Sequence, residues 1–331
     1  MPPRRHATLL AGFTLLAGVT LAALLHLLTG SRQLSLATLH EALFHYDARN
    51  FQHHIIIQLR LIRLAAALLT GAILGIAGAV LQSTLRNPLG EPHLLGLHSG
   101  AALAVVSATA IGVISPLAHT FIAALGAGTL FSIVMGLSAT GRSGFTPMKV
   151  TLCGVAISAF ASSLTAAILI FDEQTLLAMQ TWLAGDLAGV NWQTIVPAAI
   201  TALCGLLLTV FITPSLTVLA LGDKLAQGLG VSLLRTRLLA LFSVTLLCGA
   251  AVALAGPIGF IALIVPHLIR RITGDNLSAV VPLAALAGAL LMTLADCAAR
   301  MLFAPQELAT GVMTALVGAP VFIFLAARFF R

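Results

Sequence analysis

Few side chains in this sequence can bind or move a charged group. Asp296 and Arg300 stand four apart in ADCAAR, which puts a carboxylate and a guanidinium on one helix face, where they can pair. Arg60 and Arg63 precede a long apolar run. Such arginines serve as snorkelling anchors at a membrane interface, or as planar forks that bind carboxylates. A proton relay through Asp296 would need several intramembrane acids, and the apolar runs hold few. His93, His98 and His267 invite a metal-site reading. Without HxH, HxxxH or an acid cluster around them, packing is the expectation, and no metal is assigned. Catalysis lacks its materials: there is no HExxH, no GxSxG and no paired-carboxylate site. Neither of the two lysines sits in a GK[ST] phosphate loop, so the chain is read as a non-enzyme that does not itself hold ATP.

The elements that position these residues must be membrane helices. Hydrophobic residues make up 59% of the 331 positions and charged residues 8%, against about 25% charged in ordinary soluble domains. No long polar stretch marks a soluble domain, so residues 1–331 form one transmembrane domain. The net charge of +7 is explained by basic residues kept on the cytoplasmic side rather than by nucleic acid, which is not an expected partner. Cys153, Cys204, Cys248 and Cys297 lie in apolar runs without a CxxC and are read as small buried residues.

Apolar runs of bilayer length fall at about 7–28, 61–83, 93–113, 117–138, 149–171, 191–213, 236–255, 258–272, 280–300 and 312–328, which predicts ten spans. Residues 31–58 are polar enough to lie outside. With this alternation Arg32, Arg49, Arg60, Arg63 and Arg300 are external, and the other twelve of seventeen basic residues are cytoplasmic. That bias places both termini in the cytoplasm.

Three stretches depart from plain spans. In Ala255–Gly274, AGPIGFIALIVPHLIRRITG, Gly256 and Pro257 should break a helix, and Arg270 and Arg271 should stop it at water. A short interrupted helix of this kind lines a path rather than facing lipid. In the turn RNPLGEPHLLG (Arg86–Gly96), Asn-Pro and Glu-Pro suit a tight re-entry into the membrane. The polar gap at about 214–237 holds LGDKLAQGLG, read as a short protruding helix over Leu221–Gly230. Its apolar stripe is Leu221, Leu225 and Leu229, and Asp223 stands near the unpaired amides at its start. This helix either lies on lipid headgroups or docks a cytoplasmic partner. GAILGIAGAVLQ (Gly71–Gln82) and GAAVALAGPIGF (Gly249–Phe260) are faintly alike and would fit an inverted-topology repeat.

GAVLQSTLRNPLGEPHLLGLHSGAA (Gly78–Ala102), LGDKLAQGLGV (Leu221–Val231), GPIGFIALIVPHLIRRITG, ADCAAR (Ala295–Arg300) and ELATGVMTALVGAPVFIFL (Glu307–Leu325) together resemble the FecCD-type permeases. These are membrane subunits of bacterial ABC importers for iron-siderophores, haem and vitamin B12. The resemblance implies an all-α fold of about ten transmembrane helices, like the vitamin B12 permease of the type II importers, in the bacterial inner membrane. It implies a second permease subunit, the same or related, with the path along the shared interface. Two ATPase subunits, which use ATP and magnesium, would lie beneath, and a periplasmic substrate-binding protein above; this chain would bind no cofactor.

Leu221, Gly222, Asp223, Leu225, Ala226, Leu229 and Gly230 then look like the ATPase-coupling helix, and Arg60, Arg63 and Arg300 match positions that receive the binding protein's acids. Gln82, Asn87, Pro88, Gly256, Pro257, Pro266 and His267 become candidates for the path or its gate. Ile62 stands where the family commonly has proline, and Glu307-Leu308-Ala309-Thr310-Gly311 replaces Glu-Leu-Pro-(Val/Ile)-Gly. The finer resemblance leans towards ferric siderophores, catecholates in particular, with haem or vitamin B12 as alternatives. An ion-driven secondary transporter, its sites built from backbone carbonyls, is the competing class.

Overall fold

A chain that crosses hydrocarbon must satisfy its backbone polar groups within each segment, and an all-helical result follows from the apolar runs. The computed structural model describes residues 5–30, 33–113, 115–140, 147–302, 304 and 306–329. Arg4, Arg32, Arg142 and Arg331 of the charge tally lie outside them. Among the described residues every regular element is helical. In chain order they are α1 (Arg5–Leu28), α2 (Leu36–Phe44), α3 (Phe51–His54), a π-helical turn (Ile55–Arg60), α4 (Leu61–Leu85), α5 (Leu97–Ala110), α6 (Pro116–Ala139) and α7 (Pro147–Phe171). There follow α8 (Glu173–Leu183), α9 (Trp192–Leu219), α10 (Asp223–Gly228), α11 (Leu233–Ala255), α12 (Ile261–Thr273), α13 (Leu277–Met301) and α14 (Thr310–Phe329).

Each of the ten expected spans falls on a helix. Seven described helices are long and apolar enough to cross a membrane: α1, the run from α3 through α4, α6, α7, α9, α11 and α13. The shorter α5 and α12 have 14 and 13 residues, about 20 Å each and well short of a hydrocarbon core of about 30 Å.

The expected external segment 31–58 is itself largely helical. Ser35 caps α2 by accepting the Thr38 N–H, and Asn50 caps α3 by accepting that of Gln52. A further helix that hydropathy did not indicate, α8, is capped by Asp172, which accepts the Gln174 and Thr175 N–H groups. The Thr175 hydroxyl and amide hold the Asp172 carboxyl below its ordinary range. The gap expected at 214–237 is narrower than its polarity suggested. α9 continues through Pro214 to Leu219, and α11 starts at Leu233, taking in Arg235 and Arg237.

The core is built around α4, which is buried along most of its length against α13, α11, α12 and α9. Apolar residues gain little by leaving lipid for one another, so close backbone packing carries the association. Gly71 of α4 meets Gly288 of α13, and a Cβ on Gly71 would stand 2.6 Å from the Met292 Cβ. The two segments of the faint repeat differ in conformation: Gly71–Gln82 is continuous helix, while Gly249–Phe260 runs over the end of α11 at Ala255. Of the cysteines, Cys248 and Cys297 are buried, Cys153 is half-buried and Cys204 is exposed; all four are free.

Candidate functional site at the two ends of α4

At the N-terminal end of α4 the three expected arginines do converge, but they are not an open surface. Asp296 of α13 is fully buried at the centre. Arg63 donates Nε to its Oδ1 and Oδ2 at 3.1 and 3.0 Å, and Nη2 to Oδ1 at 2.9 Å. His26 of α1 places Nε2 2.8 Å from Oδ2, and the Thr310 hydroxyl at the start of α14 donates to Oδ1 at 2.7 Å. Arg300 completes the ring, its Nε 3.3 Å from Oδ2 without hydrogen-bond alignment. The expected Asp296–Arg300 pair along α13 is present, yet Arg63 is the stronger partner.

Arg300 also donates Nη2 to the His26 carbonyl at 3.1 Å, and Arg60 donates Nη1 to that of Leu27 at 2.7 Å. Both arginines are buried, because they serve the orphan carbonyls at the end of α1. Arg63 reaches outward as well: Nη1 donates to Glu307 Oε2 at 2.6 Å, and Nη2 lies 3.7 Å from Asp186 Oδ1. Three guanidinium groups thus face three carboxylates, so the arginines expected to receive a partner's acids already meet acids of this chain. Arg60, Arg63, Arg300 and Glu307 border a cavity of about 480 Å³.

Midway along the core, the break at Gly256–Pro257 forms as expected. α11 stops at Ala255, Gly256 has φ +71°, and a Cβ there would collide with the Trp182 carbonyl. Phe260 enters α12 with φ +71°, a conformation that costs a non-glycine residue of order 1–3 kcal/mol. Its N–H donates to the buried Glu91 Oε1 at 2.6 Å, so the turn after α4 holds the strained residue in place. Gln82 donates Nε2 to the Ala262 and Leu263 carbonyls of α12 at 3.3 and 3.2 Å. Asn87 accepts the Leu89 N–H and fixes the turn that contains Pro88. His93 and His98 meet edge to face, 5.7 Å apart, and with Ser162, Thr165 and Pro257 line a cavity of about 250 Å³. His267 lies apart from them, 3.3 Å from Arg271 Nη2. Among the described residues no group of three or more His, Cys, Asp or Glu has the geometry to hold a metal. Arg270 does not simply point to water; it donates Nη2 to Ser83 at 2.7 Å and to the Ala79 carbonyl at 3.1 Å.

At the C-terminal end of α4, Arg86 is left-handed (φ +49°) and pairs closely with Asp223. Arg237 of α11 donates Nη2 to both Asp223 oxygens at 3.0 Å. The carboxylate therefore binds two arginines rather than capping α10. Gly222 and Gly230, both with positive φ, bracket α10, which buries Ala226 and exposes Leu225 at 61%; Leu221 before it and Leu229 after it are 63% and 65% exposed. The three leucines are uncovered in the single chain, but the helix is shorter than expected and only Leu225 lies on it.

The FecCD transport family matches residues 18–328. The chain belongs to that family. It is 42% identical to the iron(3+)-hydroxamate import system permease protein FhuB of Bacillus subtilis, over 97% of this chain and 83% of that one. Against the Fe(3+) dicitrate transport system permease protein FecC of Escherichia coli it is 41% identical over 82% of each. Against the ferric enterobactin transport system permease protein FepD of the same organism it is 35% identical over 95% and 94%. Among solved structures, one described as an inward-facing metal-chelate type ABC transporter superposes with TM-score 0.78 and 31% identity, covering 96% and 98%.

Within this FecCD chain both departures from the family's spelling have structural consequences. Ile62 is buried, and the helix runs through it unbroken from the π-helical turn. Thr310 puts a hydroxyl, where the motif commonly has Val or Ile, onto Asp296. His26, Glu91 and Asp186 were not singled out by the sequence. The signal for each was the same: an ionisable residue at the edge of an apolar run, where burial demands a partner.

Proposed function

We propose that this chain is the permease subunit of an ATP-driven importer that carries a ferric siderophore through the bacterial inner membrane. The observation that carries the reading is α10, tied to two arginines through Asp223, which with its flanks presents three exposed leucines as a knob on a chain without a phosphate loop. Such a knob suits a groove on a separate ATPase, and two ATPase subunits using ATP and magnesium would serve a pair of permeases. The siderophore class is supported by relatives that import hydroxamate, dicitrate and enterobactin chelates of iron. These relatives divide among chelate types, so the catecholate preference drawn from short motifs carries no weight here.

In this reading both termini are cytoplasmic, and a periplasmic binding protein delivers the chelate at the end of α4 that carries Arg60, Arg63 and Arg300. ATP-driven closure of the ATPases pushes α10. The broken helix at Gly256–Pro257, with Gln82, Asn87, Pro88, Pro266 and His267 around it, rearranges beside the path shared with the second permease. Lipid surrounds the outer faces.

Mild extraction from native membranes followed by affinity purification tests the assignment. An ATPase with a phosphate loop is expected to accompany the chain, with a binding protein recovered on cross-linking. Emergence of the chain alone, even after cross-linking, sinks the importer reading in favour of ion-driven transport.

A further inference from the structure

We propose that Glu307, with Asp186 beside it, is an exchangeable counter-ion for Arg63. An acidic side chain of the docking binding protein takes its place, and the release of Glu307 loosens the start of α14 from the broken helix. This rests on the docking reading above and gives roles to two residues that it does not use.

Arg63 is already satisfied in the single chain, so an incoming carboxylate must displace one that is present. Asp296 is not the one to leave. It is fully buried and held by Arg63, His26 and Thr310, and separating a buried ion from its partner is strongly unfavourable. Glu307 is different: its side chain is 38% exposed, and among the described residues Arg63 is its one hydrogen-bond partner. A pair of that exposure is weak and trades readily for an equivalent one. Asp186, 16% exposed and 3.7 Å away, makes only a long contact with the same guanidinium. The adjoining cavity of about 480 Å³, bordered by Arg60, Arg63, Arg300 and Glu307, offers room for an acidic side chain to enter.

The placement of the two acids turns this exchange into a mechanical signal. Glu307 lies just before α14, whose second residue, Gly311, donates its N–H to the Gly185 carbonyl at 2.6 Å. Gly185 directly precedes Asp186. A Cβ on Gly185 would stand 2.9 Å from Ile258 Cγ1 and 3.3 Å from the Pro257 carbonyl. The junction of α14 with the broken helix is therefore flanked on both strands of chain by acids that Arg63 holds. Removing Arg63's grip on them loosens that junction, which is then held by the Thr310 hydroxyl on Asp296 and by the Gly311 N–H, while Asp296 keeps α1, α4 and α13 together.

The test uses the complex of permease, ATPase and the binding protein recovered with it, in lipid nanodiscs. Glu307→Gln should tighten docking by about two- to fivefold, the size appropriate to one half-exposed ion pair, and raise ATP hydrolysis without the binding protein. Asp186→Asn should act in the same direction and more weakly. Unchanged or weakened docking in Glu307→Gln overturns the exchange. A second readout needs no change at Glu307: in an otherwise native complex, Met313→Cys, buried in the first turn of α14, should react faster with an impermeant maleimide once the binding protein is added. An unchanged rate also overturns the proposal. The docking reading fails separately, if binding to the unaltered complex does not weaken with salt, since exposed charge pairs are screened over about 8–10 Å.

Discussion

Pro266 has no N–H to give the Ala262 carbonyl one turn earlier in α12, and Gln82 of α4 supplies the missing donor. The two residues, 184 positions apart in the sequence, are one device: a proline that loosens α12 and an amide that holds the loosened turn against α4. In a water-poor core an orphan carbonyl costs about 1–3 kcal/mol, so Gln82→Leu should destabilise the chain by that order in thermal unfolding. Pro266→Ala restores the N–H and should recover much of the loss in the double variant, although alone it stiffens α12. Equal losses with and without Pro266→Ala would show that Gln82 acts elsewhere. At the N-terminal end of α4 the same reasoning limits experiments. Arg63→Glu would set a fourth carboxylate against buried Asp296, so loss of uptake in that variant would report broken packing and say nothing of docking.

Among the elements, α10 is only six residues long, buries Ala226 alone, and is tied to the bundle through charge. Asp223 ties it to Arg86 at the end of α4 and to Arg237 in α11, with all three side chains 32–40% exposed. Pairs of that exposure contribute no more than about 1 kcal/mol each. Arg86→Ala with Arg237→Ala should therefore leave the melting temperature and the co-purifying ATPase nearly unchanged. Uptake per ATP hydrolysed should fall sharply, because a freely hinged knob cannot transmit a push. A parallel fall in uptake and hydrolysis would instead mean that the arginines support assembly. A short helix and its exposed leucines were legible in LGDKLAQGLG, although the helix covers Asp223–Gly228 and only Leu225 lies on it. The role of Asp223 was not: a carboxylate at a helix start reads as a cap, and only the fold brings Arg86, 137 positions away, against it. Likewise helices at the ten expected positions were readable from hydropathy, seven described ones long and apolar enough to cross a membrane, whereas α8 was missed because its signal is one capping aspartate. The three arginines expected to receive a partner's acids lie together but already meet acids of this chain, which sequence could not show because it gives charges without the distances that cancel them.

Across the whole molecule α4 runs between the residues assigned a role at its two ends and at the broken helix. Its 25 residues span about 37 Å, with Arg63 near one end, Gln82 against the broken helix and Arg86 just past the other. It is buried along most of that length and locked by close backbone contact at Gly71 and Gly78, so displacement at one end is not easily absorbed by bending. If docking and ATP hydrolysis communicate through this helix, changes at its ends should not act independently. Substitutions more than 7–10 Å apart ordinarily add within about 0.3–0.5 kcal/mol. The cycle formed by Glu307→Gln and Arg86→Ala, read as stimulation of ATP hydrolysis by the binding protein, should depart from additivity by more than that. The gain from Glu307→Gln should shrink once Arg86 is gone, because the signal released at one end no longer reaches α10. Strict additivity would assign the connection to another route, with α11, which carries Arg237 and ends at the Gly256 break, the next to test.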